Sequence, residues 1–94
     1  MAFNAGYSAQ FIGEVTLDPS NIPSLNFSVE TFTPTALATL LPEQRVRVEG
    51  DSLEAGILIT GSRCKTAGVL EITFFNATNA AVNPASQSFQ VLAF

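Results

Sequence analysis

Apolar and polar residues alternate along most of this chain with a period of two, the period of a strand that buries one face. Phe11, Gly13, Val15 and Leu17 alternate with Ile12, Glu14 and Thr16, and the turn residues Asp18-Pro19-Ser20-Asn21 end the run. Leu25, Phe27, Val29 and Thr31 alternate with Asn26, Ser28 and Glu30, which predicts a second strand whose polar set faces water. Val46 and Val48, set between Arg45, Arg47 and Glu49, predict a third strand closed by Gly50-Asp51. A fourth runs from Ile57 to Arg63, a fifth from Val69 to Asn76, and a last from Ser88 to Phe94. Lys65-Thr66-Ala67-Gly68 joins the fourth to the fifth as a four-residue hairpin turn, ending in a glycine that tolerates positive φ. Short strands at this spacing predict an all-β fold: one antiparallel β-sandwich, or partly open barrel, of about six to eight strands.

Two segments lack the strand period. Thr33-Pro34 and Pro42 bracket Ala36-Leu37-Ala38-Thr39-Leu40-Leu41, where a threonine cap, a proline at the first helical position and a proline stop predict a short helix or compact loop over 33–42. Leu37, Leu40 and Leu41 share one face there and are expected to make contacts with a partner. Residues 1–10 are small and polar apart from Phe3 and Tyr7, and read as an N-terminal arm before a single domain, 11–94. An uncharged arm of this kind orders only against a partner.

Composition narrows the function. Only 13% of the 94 residues are charged and 47% are hydrophobic, which excludes a disordered chain. For so short a chain the gain from burial and the cost of ordering are of similar size, so subunit contacts would help it. A net charge of −4 with four basic residues argues against nucleic-acid binding, which needs clustered Lys and Arg. The absence of histidine removes the commonest general base and metal ligand. One cysteine, Cys64, forms no internal disulfide; its neighbours Arg63 and Lys65 could make the thiol reactive, but a small strand residue is the simpler reading. No signal-peptide pattern and no membrane-length apolar run occur, so use without export is expected.

Candidate chemistry is sparse. The eight carboxylates are scattered over strands and turns. Glu49, Asp51 and Glu54 cluster around one turn and could face a hard cation, but they lack the alternating-oxygen pattern of a calcium loop. Arg45 and Arg47 are expected to form a cross-strand ladder with Glu71 or Glu30. Asn26-Phe27-Ser28 and Asn76-Ala77-Thr78 are glycosylation triplets. No catalytic, cofactor-binding or metal-binding residue is predicted, and no enzyme.

The apolar excess is the stronger clue. Phe74 and Phe75 are adjacent and face opposite sides of any regular strand, and Leu92 and Phe94 oppose Phe89, Val91 and Ala93. A strand apolar on both faces is either central and covered or at an interface. Phe74, Phe75 and Phe94, with Phe3 and Tyr7 of the arm and Leu37, Leu40 and Leu41 of the insertion, are the expected interface residues, with copies of this chain as the first partner.

From Arg45 onward particular motifs accumulate: Arg45-Val46-Arg47-Val48, Gly50-Asp51, Leu53-Glu54-Ala55-Gly56-Ile57, Val69-Leu70-Glu71-Ile72-Thr73, then Asn76-Ala77-Thr78 and Asn83-Pro84-Ala85-Ser86 before the last strand. With Thr16-Leu17-Asp18-Pro19 and Leu25-Asn26-Phe27-Ser28-Val29 upstream, this text resembles a small β-sandwich module of tailed-bacteriophage virion structural proteins, cyanophage proteins among them. The resemblance covers most of the chain after about residue 10, and the segment 33–42 is longer than the module's usual link. It implies a capsid decoration (cement) protein: a homotrimer that binds the phage major capsid protein or other virion proteins on the shell surface, after synthesis in the host cytoplasm, with no cofactor, nucleic acid or membrane. A tail- or fibre-associated protein built from the same module is the alternative. A carbohydrate- or receptor-binding module is a third reading, with Tyr7 and the Asn76–Asn83 loop as its platform.

Overall fold

The structure, a computed structural model, describes residues 10–35, 41, 42 and 45–93, with side chains from residue 13 onward. Six strands are present: β1 (Gln10–Leu17), β2 (Phe27–Phe32), β3 (Val46–Gly50), β4 (Ile57–Thr66), β5 (Val69–Asn76) and β6 (Gln87–Ala93). They form two three-stranded antiparallel sheets, ordered β1-β6-β3 and β2-β5-β4, not closed into a barrel. This is the small β-sandwich that the alternation predicts.

β5 and β6 are the central strands, and each alternates strictly. Leu70, Ile72, Phe74 and Asn76 of β5 point inward, as do Gln87, Phe89, Val91 and Ala93 of β6. The Phe74 and Phe89 rings meet edge-on across the gap between the sheets, with centroids 6.4 Å apart. Such a pair contributes about 0.5–1.5 kcal/mol beyond its burial. Val15 and Leu17 of β1, Val48 of β3, and Ile57 and Cys64 of β4 complete the core. Phe74 thus belongs wholly to the chain's own interior, and the interface expected of it is corrected: none of its surface is exposed.

The connections fill what the strands leave open. Ile22, fully buried, forms a bridge with Val82 through N–H···O bonds of 2.7 and 3.0 Å. Pro19 and Pro84 are buried beside the core. Asn76 ties this layer to β5: its amide donates to the Ile22 and Ala80 carbonyls at 3.0 and 2.8 Å, and its carbonyl accepts from the Thr78 amide and hydroxyl. A glycan cannot reach this buried amide, so the second glycosylation triplet is a structural turn. Gly56 has φ +84°, and a β-carbon there would run into the Thr78 methyl, so glycine is required on both counts.

Two details differ from the alternation. β4 continues to Thr66, so its hairpin turns on Ala67-Gly68 alone, with Gly68 at φ +73° as the expected glycine. Gln10, placed in the arm by its composition, already belongs to β1. Residues 1–9 and 36–40, including Phe3, Tyr7, Leu37 and Leu40, lie outside the described residues, as does Phe94; Thr35 shows a single 3₁₀ position and Leu41 is exposed.

Phe74→Ala should cost about 3–5 kcal/mol, because it opens a cavity at an aromatic contact that spans both sheets. Urea unfolding of the variant against the parent measures it. A loss near that of an exposed phenylalanine would show that the inter-sheet contact does not organise the core.

Candidate functional site

The second sheet turns an unusual set of side chains to solvent. The register of β2, β5 and β4 places its outward residues in three rows: Phe27, Phe75 and Leu58; Val29, Thr73 and Gly61; Thr31, Glu71 and Arg63. Leu25 precedes the first row. Leu25, Phe27, Val29 and Leu58 are between 52% and 62% exposed. Phe75 lies half-buried against Phe27, their ring centroids 4.7 Å apart and tilted. Together these put roughly 400 Å² of apolar surface in one region, a size at which patches on monomers are often functional.

β2 is the reason. Its apolar set was expected inside and its polar set in water, and the strand does the reverse: Phe27, Val29 and Thr31 are exposed while Ser28, Glu30 and Phe32 are half-buried. The turn after β1 lies on the inward side of β2 and supplies partners there. The Glu30 carboxylate accepts from the Ser20 amide at 2.7 Å and from the Ser28 hydroxyl at 3.0 Å. Ile22 and Pro19 provide buried volume that β2 would otherwise have to supply. Leu25 is not part of the strand at all. Its φ of 53° lies in the left-handed region, unfavourable for a leucine by about 1–2 kcal/mol, and it opens the chain into β2 with its side chain in solvent.

Down the face, apolar gives way to charge. Glu71 accepts from Arg63 Nε at 2.8 Å and lies 4.0 Å from Lys65 Nζ. The Arg63 hydrogen bond, with the charges of Arg63 and Lys65 behind it, holds the Glu71 carboxyl below the usual carboxylate range. Between the two ends the middle row is low: Gly61 has no side chain, and a β-carbon there would touch only Thr73, at 3.9 Å. The result is an aromatic and aliphatic ridge, a shallow saddle and a small ion-pair network.

Other expected chemistry resolves into structure. Cys64 faces the core and its thiol donates to the Thr66 carbonyl at 2.9 Å, while Arg63 and Lys65 point to the other face. The three clustered carboxylates diverge. Glu49 pairs with Arg47 of its own strand at 3.1 Å, Asp51 faces Gln90 at 3.5 Å, and Glu54 accepts from the Ala85 amide at 2.7 Å and the Gln87 amide at 3.3 Å. Among the described residues no group of His, Cys, Asp or Glu could hold a metal ion. Arg47 therefore pairs along β3, not across to Glu71 or Glu30, which are occupied by Arg63 and by Ser20 and Ser28. Asn76, the lead residue of the suggested sugar platform, spends its amide inside the fold.

Of the expected interface residues, the structure places Phe75 on this face. Sequence reasoning missed Leu25, Phe27, Val29 and Leu58. The available signal was Phe75 itself, since an outward aromatic on a central strand has cross-strand neighbours on both sides. No family model matches the chain, and neither does any curated protein or solved structure.

Glu54 clasps the loop before β6 to the turn before β4, and the Ala85 amide above all holds its carboxyl below the ordinary value of 4.5. A carboxyl lowered on folding adds stability that is present above its unfolded value and is lost as pH falls through the folded one. Glu54→Gln should therefore melt below the parent at neutral pH, and the gap should close on acidification below the ordinary carboxyl value of 4.5. Thermal melts across that range check it; a gap independent of pH would remove the carboxylate from the clasp.

Proposed function

We propose that this chain is a non-catalytic virion structural protein, a capsid decoration (cement) protein that attaches to an assembled phage shell and stabilises it as a homo-oligomer. The observation that carries the reading is the outer face of the β2-β5-β4 sheet, where Leu25, Phe27, Val29 and Leu58 expose large apolar side chains beside an ordered Arg63–Glu71–Lys65 network. A sheet gains nothing by leaving such residues in water unless a second surface covers them. The module resemblance of the strand and turn residues supplies the kind of partner: the major capsid protein or another shell component, met on the capsid surface after synthesis in the host cytoplasm.

The work asked of such a protein is mass action. A chain that binds the closed shell and not its separate parts stabilises the closed state by an amount set by its concentration and affinity. The face suits that task. Its apolar ridge supplies contact energy, and its charged end fixes orientation, because a wrongly turned partner would bury charge against apolar groups.

Two measurements test the reading. Quantitative mass spectrometry of purified particles should find many copies spread over the shell; a handful at one vertex would replace decoration with the tail-associated alternative, and none would overturn a virion role. Leu25→Asn and Leu58→Ser together should weaken attachment to the shell by about tenfold or more, since each removes contact area worth about 1–2 kcal/mol. Their thermal transition should not fall, because exposed positions change stability by about 0.5 kcal/mol or less and Asn accepts the positive φ that strains Leu25. Undiminished attachment would clear this face of the role.

A further inference from the structure

The two sheets leave four edge strands, and three of them carry guards against pairing. β1 has a register shift between Phe11 and Gly13. β3 is five residues long and carries Arg47 and Glu49. β4 has register shifts between Ile59 and Gly61 and between Cys64 and Thr66, and carries Arg63 and Lys65; Ser62 also donates to the Val46 carbonyl across that flank at 3.0 Å. Bulges, short length and cations are the means by which sheet edges avoid other chains. β2 has none of these. Its six pairs with β5 are in unbroken register, and it holds no Lys, Arg, Gly or Pro. Its one charge, Glu30, is turned inward and engaged by Ser20 and Ser28.

The direction of its backbone groups follows from one bond. Asn76 N–H donates to the Asn26 carbonyl at 3.0 Å, so Asn26 faces β5. In an antiparallel ladder the two groups of each residue share a side and successive residues alternate. Ser28, Glu30 and Phe32 then pair with β5, and Phe27, Val29 and Thr31 aim N–H and C=O at the open edge. Among the described residues nothing bonds to them.

We infer that this edge binds a second copy of the chain, β2 against β2 in antiparallel fashion about a two-fold axis through Val29. In that register Val29 faces Val29, and Phe27 faces Thr31 in both directions. All three outward residues exchange both bonds, six in all, the most that any two-fold register of this strand allows. Centring on Ser28 forms four and pushes Thr31 against Leu25, whose left-handed backbone cannot join a ladder. Centring on Glu30 sets two carboxylates opposite each other. The axis joins the two sheets into one of six strands and runs the Phe27 and Val29 rows into a single apolar band.

The occupant is a copy of this chain because the edge is complementary to itself: it offers equal donors and acceptors and no outward charge, which suits an uncharged strand of the same pattern. Edge pairing alone covers less than the roughly 800 Å² per partner of a standard interface, so the pair forms with rising concentration. The inference deepens the reading of the chain as an assembly protein and rests on it, and it specifies a two-fold pair where the module resemblance implies a trimer.

Sedimentation of the isolated protein over a concentration series, with no shell present, tests the pairing apart from the decoration role. The expected result is a monomer–dimer equilibrium. Val29→Pro removes an N–H that faces solvent and so spares the β5 ladder; it should weaken pairing on the order of tenfold or more. Val29→Cys should oxidise to a disulfide-linked dimer, since the facing pair lies about 5.5 Å apart between α-carbons. Thr31→Cys should not, because it meets Phe27. If Val29→Pro fails to fold, the cysteine pair decides alone. A monomer at every concentration, a trimer, or cross-linking at Thr31 in place of Val29 would overturn the inference.

Discussion

The edge-on contact of Phe74 with Phe89 sets the spacing between the two sheets, and most of the remaining structure follows from where it sits. Both rings come from central strands, so the core is organised around the middle of each sheet and thins toward the edges. Thin edges need filling. Edge strands supply part of it through Val15, Leu17, Val48, Ile57 and Cys64, and the connections add Ile22, Pro19 and Pro84, with the Ile22 carbonyl held by the Asn76 amide. The Asn76 amide and the Ile22–Val82 bridge satisfy backbone atoms that would otherwise lack a partner, a deficit of about 1–3 kcal/mol apiece.

Because the turn after β1 supplies partners beside it, β2 gives the core only Phe32, at its far end. Its inward face can be Ser28 and Glu30, held by the turn that covers them, and its apolar face is left for solvent or a partner. This explains what was readable in the sequence and what was not. The bounds of β5 were legible to the residue, Val69 to Asn76, but its inward side was not: Phe74 and Phe75 are both apolar, and packing against Phe89 decides that Phe74 points in. The hairpin glycine was legible because Gly68 needs a positive φ whatever surrounds it. The phase of β2 was not. Alternation reveals two faces but not which is inside, and the answer depended on a loop about ten residues upstream whose burial leaves no period.

The candidate chemistry resolves by the same geometry into the plainer reading of each group. Glu49, Asp51 and Glu54 are close in sequence but lack a calcium-loop pattern, and on a strand and its following turn their side chains diverge, each to its own donor in Arg47, Gln90 or the Ala85 amide. Cys64 is the same case. Alternation alone separates it from Arg63 and Lys65, which go to the opposite face and meet Glu71.

The exposed face and the open edge are coupled through stability. A chain of this size folds with little margin, since burial and ordering nearly cancel. Covering Leu25, Phe27, Val29 and Leu58 would add apolar burial that the isolated fold forgoes, so any partner that binds them also stabilises the fold. The strained φ of Leu25 fits the same logic. A residue held in the left-handed region with its side chain in water lowers the stability of the free chain and gains from contact only when covered. The isolated domain thus forgoes stability at this face that a covering surface would restore.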